Sequence, residues 1–318
     1  MKKLLIPFLL FILVQNVRSQ SIIDLQAYYK LGGTRVITLL SNNTMWLHTD
    51  DKGWQQLPSD GLSGKSVKKL AVYIKTSIGS MDTRLVAVTS DNKIYWYSEG
   101  SPWEEVATTG LPNGFDVKIF TPYFKIAGLG WVGYTRYFMA QNDNTMWLFN
   151  DGKWDKLSSE GLPSGYNLKS VKSYQKYGMM GSTETRIIGV LADNSIWFTG
   201  GKKWEKVETK GLPDGADIKL FDTYMKFSLM GQPDGRLVCV LSDNTFWYMA
   251  ASNKKWINLE STGLPAKYKV KFLKVFQKYA GTESGRLIIT LEDNTIWWFA
   301  ESTGWTKVDT AGLKLIQP

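Results

Sequence analysis

Six copies of one segment of about 50 residues, each carrying two tryptophans, predict an all-β fold: a six-bladed β-propeller with four antiparallel strands per blade. Three observations carry this reading. A tryptophan follows an asparagine-containing turn six times, at Trp46, Trp96, Trp147, Trp197, Trp247 and Trp297, in steps of 50, 51, 50, 50 and 50 residues. A second tryptophan trails each by seven to nine positions, at Trp54, Trp103, Trp154, Trp204, Trp256 and Trp305. A Gly-Leu pair closes every copy, beginning at Gly61, Gly110, Gly161, Gly211, Gly263 and Gly312. A lone four-stranded sheet would expose both apolar faces, whereas six copies stacked round an axis bury them. A β-sandwich or a β-helix fits so strict a period poorly.

The chain opens on Lys2 and Lys3, then an apolar run from Leu4 to Val14, then Val17-Arg18-Ser19. A positive start, a short apolar core and small residues at the end predict a secretory signal peptide over residues 1–19. The run is about half of the ~20 residues that a spanning helix needs. The expected product is exported, secreted or periplasmic, and not membrane-spanning. Loss of Lys2, Lys3 and Arg18 takes three positive charges from the formal +9, leaving +6. That balance suits an acidic glycan or an anionic cell surface, and export argues against a nucleic-acid partner.

Residues 20–318 form one domain, with blades near 20–65, 66–115, 116–166, 167–216, 217–268 and 269–318. In the second copy the strands are expected at Val67–Lys75, Thr83–Ser90, Lys93–Tyr97 and Trp103–Ala107, short runs bounded by Gly, Asp, Asn or Ser. The second and third strands meet at Asp91-Asn92, with equivalents at Asn42-Asn43, Asp143-Asn144, Asp193-Asn194, Asp243-Asn244 and Asp293-Asn294. Asn and Asp tolerate the left-handed backbone of tight hairpins, so these carboxylates read as turn residues and not as a catalytic set. The tryptophan pairs are suited to filling the wide outer part of each wedge.

Some residues recur without a packing reason of their own. An aromatic-x-Lys triplet ends each first strand, at Lys30, Lys75, Lys125, Lys176, Lys226 and Lys278. An arginine opens each second strand, at Arg35, Arg84, Arg136, Arg186, Arg236 and Arg286. In a four-strand meander the first and third loops share one end, so this end gathers the lysines, the arginines and the second tryptophans. The candidate ligand-binding residues are Lys75, Arg84 and Trp103; Lys125, Trp131, Arg136 and Trp154; Lys176, Arg186 and Trp204; Lys226, Arg236 and Trp256; and Lys278, Arg286 and Trp305. Two readings stay open. Arg stacked on Trp is interblade packing, or Trp offers a flat face to a sugar while Arg and Lys donate to hydroxyls and acidic groups. The first loop varies in length from four residues (31–34) to ten (126–135) and carries Trp131, Tyr134, Met179, Met180, Leu229 and Met230. Variable loops on a rigid scaffold commonly carry recognition.

The single Cys239 allows no intramolecular disulfide, and the single His48 leaves no His-rich metal site or His-based triad. No cofactor is expected. With its arginines, paired tryptophans and six copies, the chain resembles secreted β-propeller lectins. It is similar to the tachylectin type in repeat logic and to the six-bladed fungal fucose-binding lectins in blade count. The resemblance implies a sugar held between blades by an Arg, a Glu and a Trp, with the arginines and the second tryptophans as counterparts. No Glu recurs here at a fixed position. The expected function is non-enzymatic, multivalent carbohydrate recognition with acidic glycans as ligands. The alternatives are a protein-interaction scaffold using the Met- and Trp-bearing loops, and a propeller hydrolase. Near-uniform copies favour repeated binding over catalysis.

Overall fold

The computed structural model describes residues 20–30, 33–77, 80–127, 132–150, 152–177, 183–226, 234–250, 254–276, 286–313 and 315. Blade 1 holds β1 (Ile22–Lys30), β2 (Gly33–Leu40), β3 (Met45–Thr49) and β4 (Gly53–Gln56); blade 2 holds β5 (Val67–Ser77), β6 (Ser80–Thr89), β7 (Ile94–Ser98) and β8 (Glu104–Glu105). Blade 3 holds β9 (Ile119–Ala127), β10 (Val132–Ala140), β11 (Met146–Asn150) and β12 (Lys153–Leu157); blade 4 holds β13 (Leu168–Tyr177), β14 (Thr183–Leu191), β15 (Ile196–Thr199) and β16 (Trp204–Val207). Blade 5 holds β17 (Ile218–Lys226), β18 (Asp234–Leu241), β19 (Phe246–Ala250) and β20 (Trp256–Leu259); blade 6 holds β21 (Val270–Phe276), β22 (Arg286–Leu291), β23 (Ile296–Ala300) and β24 (Gly304–Lys307). Each blade is a four-stranded antiparallel sheet of consecutive strands. Each first strand packs against the first strand of the next blade, and β1 against β21 closes the ring. The fold is a six-bladed all-β propeller whose ring closes between whole blades, as the strand pattern at the two chain ends predicts.

The hairpin turns explain how the blades are held together. Asn43, Asn92, Asn144, Asn194, Asn244 and Asn294 all adopt left-handed backbone, with φ between 63° and 68°. The preceding Asp143, Asp193, Asp243 and Asp293 each accept from the backbone N–H and hydroxyl two residues on, at 2.6–3.0 Å. Each turn asparagine then reaches the next blade. Its Oδ1 accepts from the N–H of Val67, Val117, Leu168, Ile218, Val270 and, at the closure, Ile22, at 2.7–3.1 Å. The acidic turn residues are structural, as their place in the sequence implies.

Immediately after its first residue the inner strand carries a β-bulge in blades 1, 2, 4, 5 and 6, and the bulged residue is Lys68, Lys169, Lys219 or Lys271 in four of them. A bulge re-aims one side chain. Lys68 and Lys169 turn back to Asn92 and Asn194, at 2.5 and 3.1 Å, and Lys118 of blade 3 does the same to Asn144 at 2.8 Å.

The core lies between blades. Six apolar clusters each join one blade to its neighbour, and every second tryptophan belongs to one of them. The Gly-Leu segments latch these rings. The Trp103, Trp154, Trp204 and Trp256 N–H groups donate to Asp60, Thr109, Glu160 and Lys210 of the preceding blade's exit segment, at 2.8–2.9 Å. The indole Nε1 atoms of Trp54, Trp103, Trp154, Trp204 and Trp305 donate to further carbonyls across a blade boundary at 2.9–3.2 Å. At Gly110 (φ +95°) a Cβ would stand 2.2 Å from Trp154 O, so only glycine lets the two segments approach this closely.

Candidate ligand-binding site

Counting from the turn asparagines shows why the tryptophans are not one series. Trp46, Trp147, Trp197, Trp247 and Trp297 stand three residues after the turn asparagine, but Trp96 stands four after Asn92. In register, Tyr95 faces Ala87 as Trp147 faces Met139, and Trp96 faces Val86 one step further on. Successive strand residues point to opposite faces, so Trp96 turns away from the face its counterparts share. The turn asparagines step by 49 residues into Asn92 and 52 out of it, and this slip turns those steps into 50 and 51 for the tryptophans.

Trp96 thereby comes under an arginine. Arg84 stands opposite Tyr73 on β5 and Ser98 on β7, and its guanidinium lies 3.9 Å from the Trp96 ring centre. Arg186 lies over Phe198 at 4.7 Å and Arg236 over Tyr248 at 5.1 Å. Blade 6 has Trp298 at this platform position, and blades 1 and 3 have Leu47 and Leu148. Cation–π contact of this kind packs the guanidinium against an aromatic ring.

A cavity of about 230 Å³ opens beside this stack, between blades 2 and 3. Tyr73, Arg84 and Trp96 line it from blade 2, Tyr137 and Phe149 from blade 3, with Glu105 to Ala107 of blade 2 alongside. The Tyr73 and Tyr137 rings meet edge to face at 6.1 Å, and Tyr137 lies 5.2 Å from Phe149. Burial, with Tyr73 as hydrogen-bond partner, pushes the Tyr137 phenol well above the ordinary tyrosine range. It stays neutral and can donate. Glu105 lines the cavity, but its carboxylate accepts from Lys93 Nζ at 3.1 Å and Tyr95 OH at 3.2 Å. The site therefore offers a guanidinium, phenol hydroxyls and aromatic surface.

Acidic residues do recur near the arginines, in a form that a search for Glu misses. Seven residues after the turn asparagine stand Asp50, Glu99, Asp151 and Glu301, with Gly201 and Ala251 in blades 4 and 5. Glu301 accepts from Arg236 of the preceding blade at 3.4 Å. Glu99 accepts from Lys30 at 2.6 Å and from Tyr28 OH at 3.2 Å, also across a blade boundary. Burial, reinforced by Glu99, drives the Tyr28 phenol up; burial, partly offset by Arg236, pushes Tyr224 up to about 12. Asp151 lies outside the described residues. Asp and Glu alternate at the position and two copies lack either, so no single residue type marks it.

The second tryptophans occupy different ground. Trp103, Trp154, Trp204, Trp256 and Trp305 are buried between blades, Trp154 and Trp256 to 1% exposure. Their faces are covered by neighbouring side chains, so the arginine's aromatic partner is the third-strand platform residue instead. Trp147, Trp197, Trp247 and Trp297, by contrast, keep partial exposure. Lys75, Lys125, Lys176 and Lys226 lie on the inner strands opposite Asp82, Tyr134, Glu184 and Asp234, and Arg286 opens β22 opposite Phe276. Arg136 opens the same position in blade 3, and its buried Nε has no hydrogen-bond partner among the described residues. Trp131 and Lys278 lie outside the described residues, as do Met179, Met180, Leu229 and Met230 of the variable loops. No group of three or more His, Cys, Asp or Glu among the described residues could hold a metal ion, and no helix among them is long and apolar enough to cross a membrane.

No protein-family model and no curated protein sequence matches the chain. Solved structures do. The six-bladed β-propeller lectin of Aleuria aurantia, described with a novel fucose recognition mode, superimposes with a TM-score of 0.56 at 16% identity, over 91% of this chain and 95% of that one. An arginine-to-alanine triple mutant of AofleA from Arthrobotrys oligospora gives 0.59 at 10% identity, over 91% and 88%. The BP39L lectin of Burkholderia pseudomallei gives 0.53 at 13% identity, over 90% and 83%. At these identities the likeness is one of fold, a lectin-like β-propeller.

Proposed function

We propose that this chain is an exported, non-enzymatic carbohydrate-recognition protein and that the cavity between blades 2 and 3 is a sugar site. The observation that carries this reading is the Arg84 guanidinium lying 3.9 Å from the Trp96 ring centre, with both residues lining that cavity. At about 230 Å³ it is smaller than the ~300–1,000 Å³ pockets that take drug-sized ligands, and it suits a single sugar residue. Sugar rings carry apolar C–H faces and polar rims. The aromatic wall of Tyr137 and Phe149 serves the first, and Arg84 with the tyrosine hydroxyls serves the second. Solved propellers of this architecture include fucose-recognising lectins, which supports the ligand class.

The finer proposal is an acidic glycan. An arginine opens every second strand, and the Gly201 and Ala251 copies lack the acidic residue that meets Arg236 in the blade 5–6 interface. Export rests on the positive, then apolar, then small-residue pattern of residues 1–19. Repetition of one site type round a ring provides avidity and not catalysis.

A glycan array probed at low and at physiological salt tests the reading, with Arg84→Ala and Trp96→Ala proteins alongside. Binding to uronic or sulfated glycans should weaken with salt without vanishing, because screening shortens from ~30 Å at 0.01 M to ~8 Å at 0.15 M while stacking persists. A wild-type protein that binds no glycan at either salt concentration overturns the reading.

A further inference from the structure

On the axis the repeat breaks. The six inner strands place Asp24 and Lys69 at one register level, and Gln26, Ala71, Thr121, Lys172, Asp222 and Lys274 at the next inward-facing level. Five charged side chains from five blades thus share the centre of the ring: three lysines and two aspartates. Lys172 Nζ meets Asp222 at 3.2 Å, and Lys274 Nζ meets Asp24 at 3.9 Å.

Both carboxylates are already engaged by backbone. Asp24 accepts from Leu25 N at 2.8 Å and, across a blade boundary, from Leu70 N at 2.7 Å. Asp222 accepts from Thr223 N at 2.9 Å and from Val275 N of the next blade at 3.2 Å. The Gln26 amide donates to Leu70 O at 2.6 Å. Lys69 is the third cation and has no hydrogen bond or ion pair among the described residues. It faces Lys274 and Lys172 as like charges and Asp24 as its opposite one. The ammonium-bearing side chains of Lys172 and Lys274 keep 21% and 20% exposure although the inner strands encircle them, so open space remains between them.

We propose that this axial cluster is a binding site for one small anion, a halide or the carboxylate of a small acid, held by Lys69, Lys172 and Lys274. The reason is charge balance in a desolvated setting. Buried charges persist when paired, and the two aspartates cannot satisfy three ammonium groups while also serving four backbone N–H groups. A single anion among the lysines brings the set to neutrality and accepts their remaining hydrogen bonds. The site stands apart from the interblade cavity and does not depend on it.

Bromide tests it directly. In crystals of the full chain soaked in sodium bromide, anomalous scattering should place bromide on the axis among Lys69, Lys172 and Lys274. Bromide found only on the outer surface overturns the proposal. In solution, melting at constant ionic strength should rise saturably with bromide in the wild type and in the exposed-site control Lys307→Met. In Lys69→Met the apparent affinity should fall by at least about tenfold, as when one member of a buried charge set is removed. Lys274→Gln serves if Lys69→Met does not fold. An equal rise in wild type and variants counts against the site.

Discussion

Asn294 Oδ1 accepts a hydrogen bond from Ile22 N at 3.0 Å, joining residues 272 positions apart. The same bond made by the other five turn asparagines links neighbours in sequence; this one closes the ring. It stands where a propeller that completes a blade with strands from both chain ends would place β-ladder bonds. Asn294→Gly keeps the left-handed turn and loses the bond, and should cost about 1 kcal/mol or somewhat more in denaturant unfolding. Asn294→Ala should cost a further ~1 kcal/mol, because φ of 63° is unfavourable for alanine. Equal losses for the two would assign the whole effect to the bond.

The buried second tryptophans should dominate stability. Trp154→Ala should destabilise by ~3–5 kcal/mol, since the ring is 1% exposed and its Nε1 donates to Ala107 O at 3.0 Å. Trp147→Ala, on the half-buried face, should cost less. Urea melts of the two proteins decide it, and a larger loss at Trp147 would contradict the packing.

Gly110→Ala tests the latch itself. The new methyl would meet Trp154 O at 2.2 Å in a left-handed backbone, whereas Gly114 at φ +69° has nothing within 4 Å of its Cβ position. Gly114→Ala should cost ~1–2 kcal/mol from backbone strain alone. Gly110→Ala should cost clearly more, read as a lower melting temperature than Gly114→Ala.

Lys69 should make stability rise with pH in the alkaline range. Burial first, then Lys274, pushes its ammonium down to about 8 from the ordinary 10.5, and Asp24 only partly offsets this. Below about 8 both folded and unfolded chains hold the proton, and the cost of burying the charge is fully present. Between about 8 and 10.5 the unfolded chain holds it and the folded chain does not, so folding gains as pH rises. Lys69→Met should therefore be more stable than wild type near pH 7, by up to ~3 kcal/mol, with the gap closing by pH 10.5. A gap that stays constant across this range would mean that Lys69 titrates normally.

Arg84→Lys separates the stacked fork from simple charge. Lysine keeps the positive charge but cannot lie flat on Trp96 or donate two parallel bonds, so glycan binding should fall about tenfold. The melting temperature should change little. A loss of several degrees with unchanged binding would make Arg84 interblade packing.

Blade count, strand order and hairpin chemistry were legible in the chain because each is local. A four-strand unit repeats its own punctuation, and the asparagine turns and Gly-Leu exits can be read one copy at a time. What each side chain faces was not legible in the same way. A strand alternates faces with a period of two, so one residue of slip between Asn92 and Trp96 moves that ring from its counterparts' face to the arginine's, while it evens asparagine steps of 49 and 52 into tryptophan steps of 50 and 51. The second tryptophans are closed because the neighbouring blade's glycine segment folds over them. The acidic position at Asp50, Glu99 and Glu301 was hidden by the exchange of Asp for Glu. The axial set of Asp24, Lys69, Lys172, Asp222 and Lys274 has no periodic signal at all. Each of its members is a departure from the repeat on a different inner strand, and only closure of the ring brings five such departures to one point.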